Sequence, residues 1–285
     1  MTSVIDDLGR LREAVRGWKR AGERVAFVPT MGNLHEGHFS LVRLAREHAD
    51  RVVASVFVNP TQFGPNEDFA RYPRTPERDA SGLEAAGCDV LWMPSVEAMY
   101  LFGVDGAVRV QVPGVTDVLE GAHRPGHFDG VATVVARLFL QVQPDVAVFG
   151  RKDYQQLAVI RYLVRELSFP IDIVPADTRR EDDGLAMSSR NQYLTPDERA
   201  RAVAIHRALG AMRDALVAGS SVVDAEAGAV ASLAAAGFDV DYAVVRRRDF
   251  RPVGPDDREL VALIAARLGC TRLIDNLEFE RPPGA

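Results

Sequence analysis

A chain of 285 residues with 47% hydrophobic content carries enough apolar material for one large domain or two modest ones, and its formal net charge of −6 argues against a general nucleic-acid binder. No apolar run reaches the roughly 20 residues that span a bilayer. The first residues (Thr2, Ser3, Asp6, Asp7, Arg10) lack a signal peptide's basic head and apolar centre, so a cytoplasmic location with no membrane partner is expected. Cys88 and Cys270 lie far apart without CxxC spacing, which fits two reduced structural thiols rather than a disulfide framework.

From residue 1 to about 177, short β-rich runs alternate with helical patterns. This predicts an α/β fold, a Rossmann-like doubly wound parallel sheet covered by helices on both faces. The expected strands are 24–30, 51–59, 89–93, 145–150 and 171–175. Val131, Val134, Val135, Leu138, Phe139 and Val142 form one apolar helical stripe, and Ile160, Leu163, Val164 and Leu167 form another. Pro144 and Pro170 stop these helices before the next strand. After residue 177 the texture changes. A polar stretch at 178–184 leads to Met187-Ser188-Ser189-Arg190, and Thr195-Pro196-Asp197-Glu198 opens a long Ala- and Arg-rich helix, with proline in its first turn and acids near its positive end. A second Ala-rich helix at about 223–236 and strand-like runs at 240–246, 259–265 and 272–275 predict a smaller α+β unit. The expected domains are therefore 1–177 and 178–285, with a frayed tail at 281–285. Arg246, Arg247, Arg248 and Arg251 read as a solvated strand end or loop, with an anion or partner contact as the alternative.

Unusual polar residues gather at three of the expected strand ends. The first is Pro29-Thr30-Met31-Gly32-Asn33-Leu34-His35-Glu36-Gly37-His38, which joins an apolar strand to an amphipathic helix. In an open α/β sheet ligands bind outside the carboxyl edge, and a helix N-terminus there offers unpaired N–H groups to an anion. His35 and His38 add side-chain donors, while Gly32 and Gly37 let the backbone turn sharply and approach a ligand. Zinc fits less well, because no third ligand stands at local spacing. The second end is Asn59-Pro60-Thr61-Gln62-Phe63. The third is Gly150-Arg151-Lys152-Asp153, where Lys152 can set an ammonium beside phosphates at a helix N-terminus. Gln156, four residues on, shares the face of Lys152 and can bind a small substrate's carboxylate or hydroxyl. A simpler reading of this loop is an N-cap acid beside a solvated lysine. Residues 187–190 offer two hydroxyls and a guanidinium for phosphate oxygens, or an ordinary ST turn. Residues 119–128 form a lid wall or simply a loop. The chain has no GxxxxGK[ST] or GxGxxG motif and no legible Ser-His-Asp or Cys-His set. Cations and neutral donors without a nucleophile suit electrostatic stabilisation of phosphate transfer, as nucleotidyl transfer requires.

Six blocks in order, PTMGNLHEGH (29–38), FVNPTQF (57–63), RYPRT (71–75), RPGHFDGV (124–131), GRKDYQQ (150–156) and DGLAMSSRN (183–191), resemble the pantoate–β-alanine ligase family of the HIGH-type nucleotidyltransferases, and the likeness runs to about residue 280. The resemblance implies an ATP-dependent ligase that condenses (R)-pantoate with β-alanine through a pantoyl adenylate, releasing pyrophosphate and AMP, with Mg²⁺ accompanying ATP. It implies a nucleotide- and pantoate-binding larger domain, a smaller lid domain and a homodimer formed through the larger one. By matching position it assigns ATP to Met31, Gly32, Asn33, Leu34, His35, Glu36, Gly37 and His38, to Gly150, Arg151, Lys152 and Asp153, and to Arg179, Met187, Ser188, Ser189 and Arg190. His35, His38 and Lys152 are the expected catalytic residues, with His38 as the usual proton donor of the family. Gln62 and Gln156 match the pair that holds pantoate, Gln62 also lying near β-alanine, while Asn59, Tyr72, Glu120 and Arg124 match positions around the pocket. Asp79 is the candidate for an indirect Mg²⁺ contact, with phosphate oxygens and water supplying most of the shell. Arg151 stands where the family usually has Glu and is expected to point outward. Arg179 stands where an aliphatic residue is usual beside adenine. Two other readings remain. A nucleotidyltransferase acting on a phosphorylated acceptor would call for extra Arg or Lys near Gln62 and Gln156, and a degenerate nucleotide sensor would not keep His35, His38, Lys152 and Arg190 intact.

Overall fold

The computed structural model describes residues 2–64 and 69–282. The chain divides into two compact units, Met1–Asp177 and Thr178–Ala285. In the first the order is β1 (Ser3–Ile5), α1 (Leu8–Arg20), β2 (Val25–Thr30), α2 (Glu36–His48), β3 (Arg51–Val56), α3 (Pro76–Ala85), β4 (Val90–Trp92), α4 (Val96–Met99), α5 (Glu120–His123), α6 (His127–Val142), β5 (Val146–Gly150), α7 (Tyr154–Glu166) and β6 (Asp172–Ala176). All six strands are parallel in the order β1-β4-β3-β2-β5-β6.

The central strands are nearly all apolar because both of their faces are covered. Successive side chains alternate between two cores. Val25 and Phe27 of β2, Val53 of β3, and Ala147 and Phe149 of β5 pack with Leu11 and Val15 of α1, the apolar stripe of α6 and Leu157 and Ile160 of α7. Ala26, Val28, Val52, Ala54, Val146 and Val148 face the other way, onto Val42 and Ala45 of α2 and Leu83 of α3. Phe139 of α6 meets Phe27, Phe149 and Phe169 edge-on, with ring centroids 6.4, 6.3 and 5.7 Å apart. Strand β1 is not anticipated by the sequence pattern. Three residues paired with β4 at the sheet's edge are too short to show alternation.

The second unit comprises α8 (Pro196–Ala202), α9 (Ala204–Val217), α10 (Val222–Ala235), β7 (Asp239–Arg247), β8 (Glu259–Leu268) and β9 (Thr271–Glu280), its strands forming one antiparallel sheet in that order. Ile205, Leu209, Met212 and Leu216 of α9 and Leu233 of α10 close a core on Val245, Leu260, Ala262, Ile264 and Phe279. The single long helix expected from Thr195 is two. Val203 ends α8 and opens α9 without an intervening loop, and Ala-rich periodicity continues through such a junction unchanged. The capping box at Thr195 and Glu198 and the proline at the first turn do start α8 as expected.

The arginine cluster is internally neutralised rather than open to an anion. Arg246 pairs with Glu226 at 2.9 Å, Arg247 with Asp249 and Asp257 at 3.2 Å each, and Arg248 with Glu259 at 2.8 Å. The cysteines differ from each other. Cys88 is buried, and burial pushes its thiol up to about 12, whereas Cys270 is exposed after β8 rather than structural. Of the tail, residues 283–285 lie outside the described residues, and no helix among those described is long and apolar enough to cross a membrane.

Candidate active site

Strand β2 lies between β3 and β5. The chain leaves β2 through α2 for β3 on one side, while β5 leads through α7 to β6 on the other, so the carboxyl ends of β2 and β5 border a topological switch point. Residues 31–35 follow β2 and residues 151–153 follow β5. Two of the polar segments singled out in the sequence therefore meet at the crevice where open α/β sheets bind ligands.

The first turn is built for sharp reversal. Gly32 has φ +85° and Asn33 φ +51°, the left-handed region that favours glycine and is tolerated by asparagine. A side chain at 32 would also meet Val56 Cγ1 at 2.9 Å and Asp79 Oδ2 at 3.0 Å. His35 is then the N-cap of α2, and the two histidines form a reciprocal box. His35 Nδ1 accepts from Gly37 N–H at 3.1 Å, and His38 Nδ1 accepts from His35 N–H at 3.3 Å. The helix N-terminus is thus less open than the motif suggests, because its N–H of Gly37 is already taken and that of His38 bonds His35 O at 2.8 Å.

This box fixes the chemistry of both rings. A nitrogen that accepts a backbone N–H carries no proton, so each neutral imidazole holds its hydrogen on Nε2. Burial, then the ammonium of Lys152, pushes His35 down to about 4. Burial, then the neighbouring His35 with ring centroids 4.2 Å away, pushes His38 down to about 3. At neutral pH both are uncharged donors. Lys152 supplies the full positive charge nearby, with Asp153 3.6 Å from its Nζ and acting oppositely on both rings. Lys152 stands before the helix, since Asp153 is the N-cap of α7 and Tyr154 its first residue, so Lys152 and Gln156 do not share a helical face. Arg151 is one-third exposed and pairs with Asp177 at 3.2 Å.

Beyond β3, Asn59 caps a 3-10 turn, Pro60–Gln62, that carries Gln62. Asn59 Nδ2 donates to Gln62 Oε1 at 3.2 Å and to Gly130 O at 3.1 Å, while its Oδ1 accepts from Tyr100 Oη at 2.6 Å. Gln62 Nε2 reaches Met31 Sδ at 2.9 Å, which joins this turn to the first. Gln62 is held from the other side as well. His127 Nδ1 donates to Gln62 O at 2.8 Å, and Arg124 Nη1 donates to His127 Nε2 at 3.1 Å and lies 3.5 Å from Glu120 Oε1. Asn59, Gln62, Glu120, Arg124 and Met31 are thereby linked. Tyr72 is buried edge-on against Phe63, with centroids 5.8 Å apart.

The adjacent glutamines of α7 divide. Gln155 is buried, with Oε1 accepting from Glu120 N at 3.0 Å and Nε2 donating to Val115 O at 2.7 Å and Val118 O at 2.8 Å. Gln156 is half-buried, and its amide has no hydrogen bond to any described residue. Sequence reasoning missed Gln155 and Tyr100 as structural parts of this site, and also Arg78, whose Nη2 donates to Leu34 O at 3.3 Å. His127 was inside a recognised block, but nothing in its spacing said that it carries Gln62.

A family model described as pantoate-beta-alanine ligase matches residues 3–278. This chain belongs to the pantoate-beta-alanine ligase family. A pantothenate synthetase from Stenotrophomonas maltophilia (strain R551-3) is 67% identical over 279 residues, 98% of this chain and 100% of the relative. One from Xylella fastidiosa (strain 9a5c) is 65% identical over 281 residues, again 98% and 100%. A pantothenate synthetase structure from Thermus thermophilus superposes with a TM-score of 0.91 at 49% identity, covering 97% of this chain and 99% of its own. A Francisella tularensis pantoate-beta-alanine ligase structure, complexed with beta-gamma ATP and beta-alanine, gives 0.81 at 31% identity with full coverage of both chains, 100% each.

In this family member, Arg179, Met187, Ser188, Ser189 and Arg190 belong to the second unit. There residues 179–187 fold back on themselves through Met187 N to Arg179 O at 2.9 Å and Glu181 N to Leu185 O at 2.8 Å. Arg180 ties that hairpin to β9 through Asp275, at 2.6 and 3.1 Å. Ser188 Oγ accepts from Arg190 N at 3.3 Å, so residues 188–190 are an ST turn, one of the two readings open from the sequence.

Proposed function

We propose that this enzyme condenses (R)-pantoate with β-alanine at the expense of ATP, and that the residues around the β2/β5 switch point carry the first half-reaction. A pantoate carboxylate oxygen attacks the α-phosphorus, a P–O bond forms, the bond to the β-phosphate breaks and pyrophosphate leaves. The amine of β-alanine then attacks the acyl carbon, the C–N bond forms, the C–O bond to AMP breaks and the nitrogen sheds its proton. Both steps move negative charge on phosphate oxygens, and fixed donors in a sheltered crevice stabilise that movement without reorganising. The observation that carries this reading is the pair of Nε2–H imidazoles, neutral at working pH, set beside the Lys152 ammonium.

His35, His38 and Lys152 are the proposed catalytic residues. Met31, Gly32, Asn33, Leu34, Glu36, Gly37, Gly150, Arg151 and Asp153 line the ATP, while Arg179, Met187, Ser188, Ser189 and Arg190 are assigned to ATP on the resemblance alone. Mg²⁺ enters as part of the MgATP substrate. Gln62 and Gln156 hold pantoate, with Asn59, Tyr72, Glu120 and Arg124 supporting the pocket. The unengaged amide of Gln156 supports its part, since a half-buried donor and acceptor gains a partner on binding substrate. Pyrophosphate exchange into ATP with β-alanine omitted tests both assignments. Exchange that depends on pantoate is expected, and exchange indifferent to pantoate overturns the substrate. Gln156→Ala is expected to raise the half-saturating pantoate concentration about tenfold or more and ATP far less, the scale of one or two lost hydrogen bonds; equal losses in both overturn its role.

The enzyme is further proposed to be a homodimer of its larger unit. Leu101, Phe102 and Val108 are 79%, 87% and 80% exposed, a concentration of apolar surface that a second copy would cover. Light scattering is expected to give twice the 31.2 kDa chain mass, and a mass of one chain overturns it. The small soluble substrates of the proposed reaction support a cytoplasmic setting.

A further inference from the structure

Asp79 lies on α3, in the first turn of that helix, and is 1% exposed. A carboxyl group so deeply buried requires partners for both oxygens. It has them. Oδ2 accepts from Asn33 N–H at 2.9 Å, and Oδ1 accepts from Leu34 N–H at 2.8 Å and from Thr75 Oγ1 at 3.0 Å. Every partner is a donor, which is the arrangement a carboxylate takes, and the two backbone donors are consecutive residues of the turn after β2. The neighbouring Arg78 completes the grip, donating from Nη2 to Leu34 O at 3.3 Å. One turn of α3 therefore holds the N–H of Asn33 and both peptide groups of Leu34, immediately before the histidine box.

We propose that Asp79 is a positioning residue, a two-pronged clamp that holds the amides of Asn33 and Leu34, keeps Asn33 in its left-handed conformation and so aims the Nε2–H groups of His35 and His38, rather than a ligand of Mg²⁺. The geometry explains why a clamp is needed. Asn33 at φ +51° is held in a region costly to L-residues, and without an acceptor for its N–H the bend relaxes toward extended backbone. Relaxation there rotates the N-cap of α2, and with it both rings. The space above Gly32 is equally committed, since Asp79 Oδ2 lies 3.0 Å from where a Cβ would stand. The consequence for catalysis rests on the reading that this turn binds ATP, whereas the clamp itself does not.

Asp79→Asn tests this, because the amide leaves one prong facing a backbone donor with a donor of its own in either flip. The expected result is a fall of roughly 10–10²-fold in the maximal rate of pantoate-dependent pyrophosphate exchange, the size of a small misplacement of catalytic groups, with the half-saturating Mg²⁺ concentration unchanged. The His35 and His38 ring resonances should shift, and adding Asn33→Gly, which adopts positive φ freely, should recover the rate several-fold. Excess Mg²⁺ restoring the single variant would make Asp79 a metal ligand and overturn the clamp. No recovery with Asn33→Gly would overturn the bend as its target. Hydrogen exchange on the unaltered protein without ATP is independent of activity and of variant folding: slow exchange at Asn33 and Leu34 is expected, and exchange at free-loop rates overturns the clamp. If wild type shows no pantoate-dependent exchange while these amides are protected, the functional reading fails and the clamp stands.

Discussion

His38→Ala is expected to slow pantoate-dependent adenylation by roughly 10²–10³, the cost of one preorganised donor aimed at developing charge. Its reference is a ring whose Nδ1 is capped by His35 N–H and whose Nε2–H is left for phosphate. The mutant loses that donor and also one half of the capping box, so rapid-quench measurement of adenylate formation separates chemistry from overall turnover. An unchanged single-turnover rate would remove His38 from the chemistry. The same variant alters acid stability in a defined direction. Both rings have folded-state values below the 6.5 of a free histidine, so the unfolded chain binds more protons between pH 6.5 and about 4, and stability falls as pH drops through that window. Each ring contributes up to about 1.4 kcal/mol per pH unit there. Wild type should therefore lose roughly 2 kcal/mol more than His38→Ala between pH 6.5 and 5 in urea titrations; parallel losses would mean that His38 is not held neutral by the fold.

Gly130→Ala has the second large expected effect, and its sign is informative. Helix propensity alone would make alanine at this interior position of α6 stabilising by about 1 kcal/mol. Packing says the opposite. A Cβ on Gly130 would lie 2.6 Å from Thr61 C and 2.7 Å from Gln62 Cα, with Thr61 O nearer still, and none of these backbone atoms can rotate aside. Overpacking of this kind costs roughly 1–3 kcal/mol, and here it pushes on the 3-10 turn that carries Gln62. The variant should melt below wild type and require about tenfold more pantoate, the expected scale for a displaced binding group. A higher melting temperature with unaltered pantoate dependence would show that the close approach of α6 to Thr61 and Gln62 is not maintained.

Much of the sheet was legible in the sequence because its central strands are buried on both faces. Val25-Ala26-Phe27-Val28 and Val146-Ala147-Val148-Phe149 can satisfy two cores only as uninterrupted apolar runs. Strand β1 was not legible, since three edge residues leave no periodic trace, and the break at Val203 was hidden by alanine on both sides. The sequence points to the histidine turn as a candidate anion site, but the Nδ1 caps that choose its tautomers depend on backbone geometry that no spacing encodes. Asp79 illustrates the same limit. An acid 41 residues beyond His38 invites a metal role from residue type alone, and only the fold brings its oxygens to the amides of Asn33 and Leu34.

The division between Gln155 and Gln156 limits how this chain can change length. One amide anchors residues 115–120, and its neighbour stays unengaged on a face turned about 100° away around the helix. Inserting a residue in the 151–153 loop would carry Tyr154 into the place of the anchoring Gln155, and deleting one would bring Leu157 into the place of Gln156, so either change of length removes one of the two amides from its position. That short loop is thus a place where a change of length is expected to cost more than a change of side chain at the one-third-exposed Arg151.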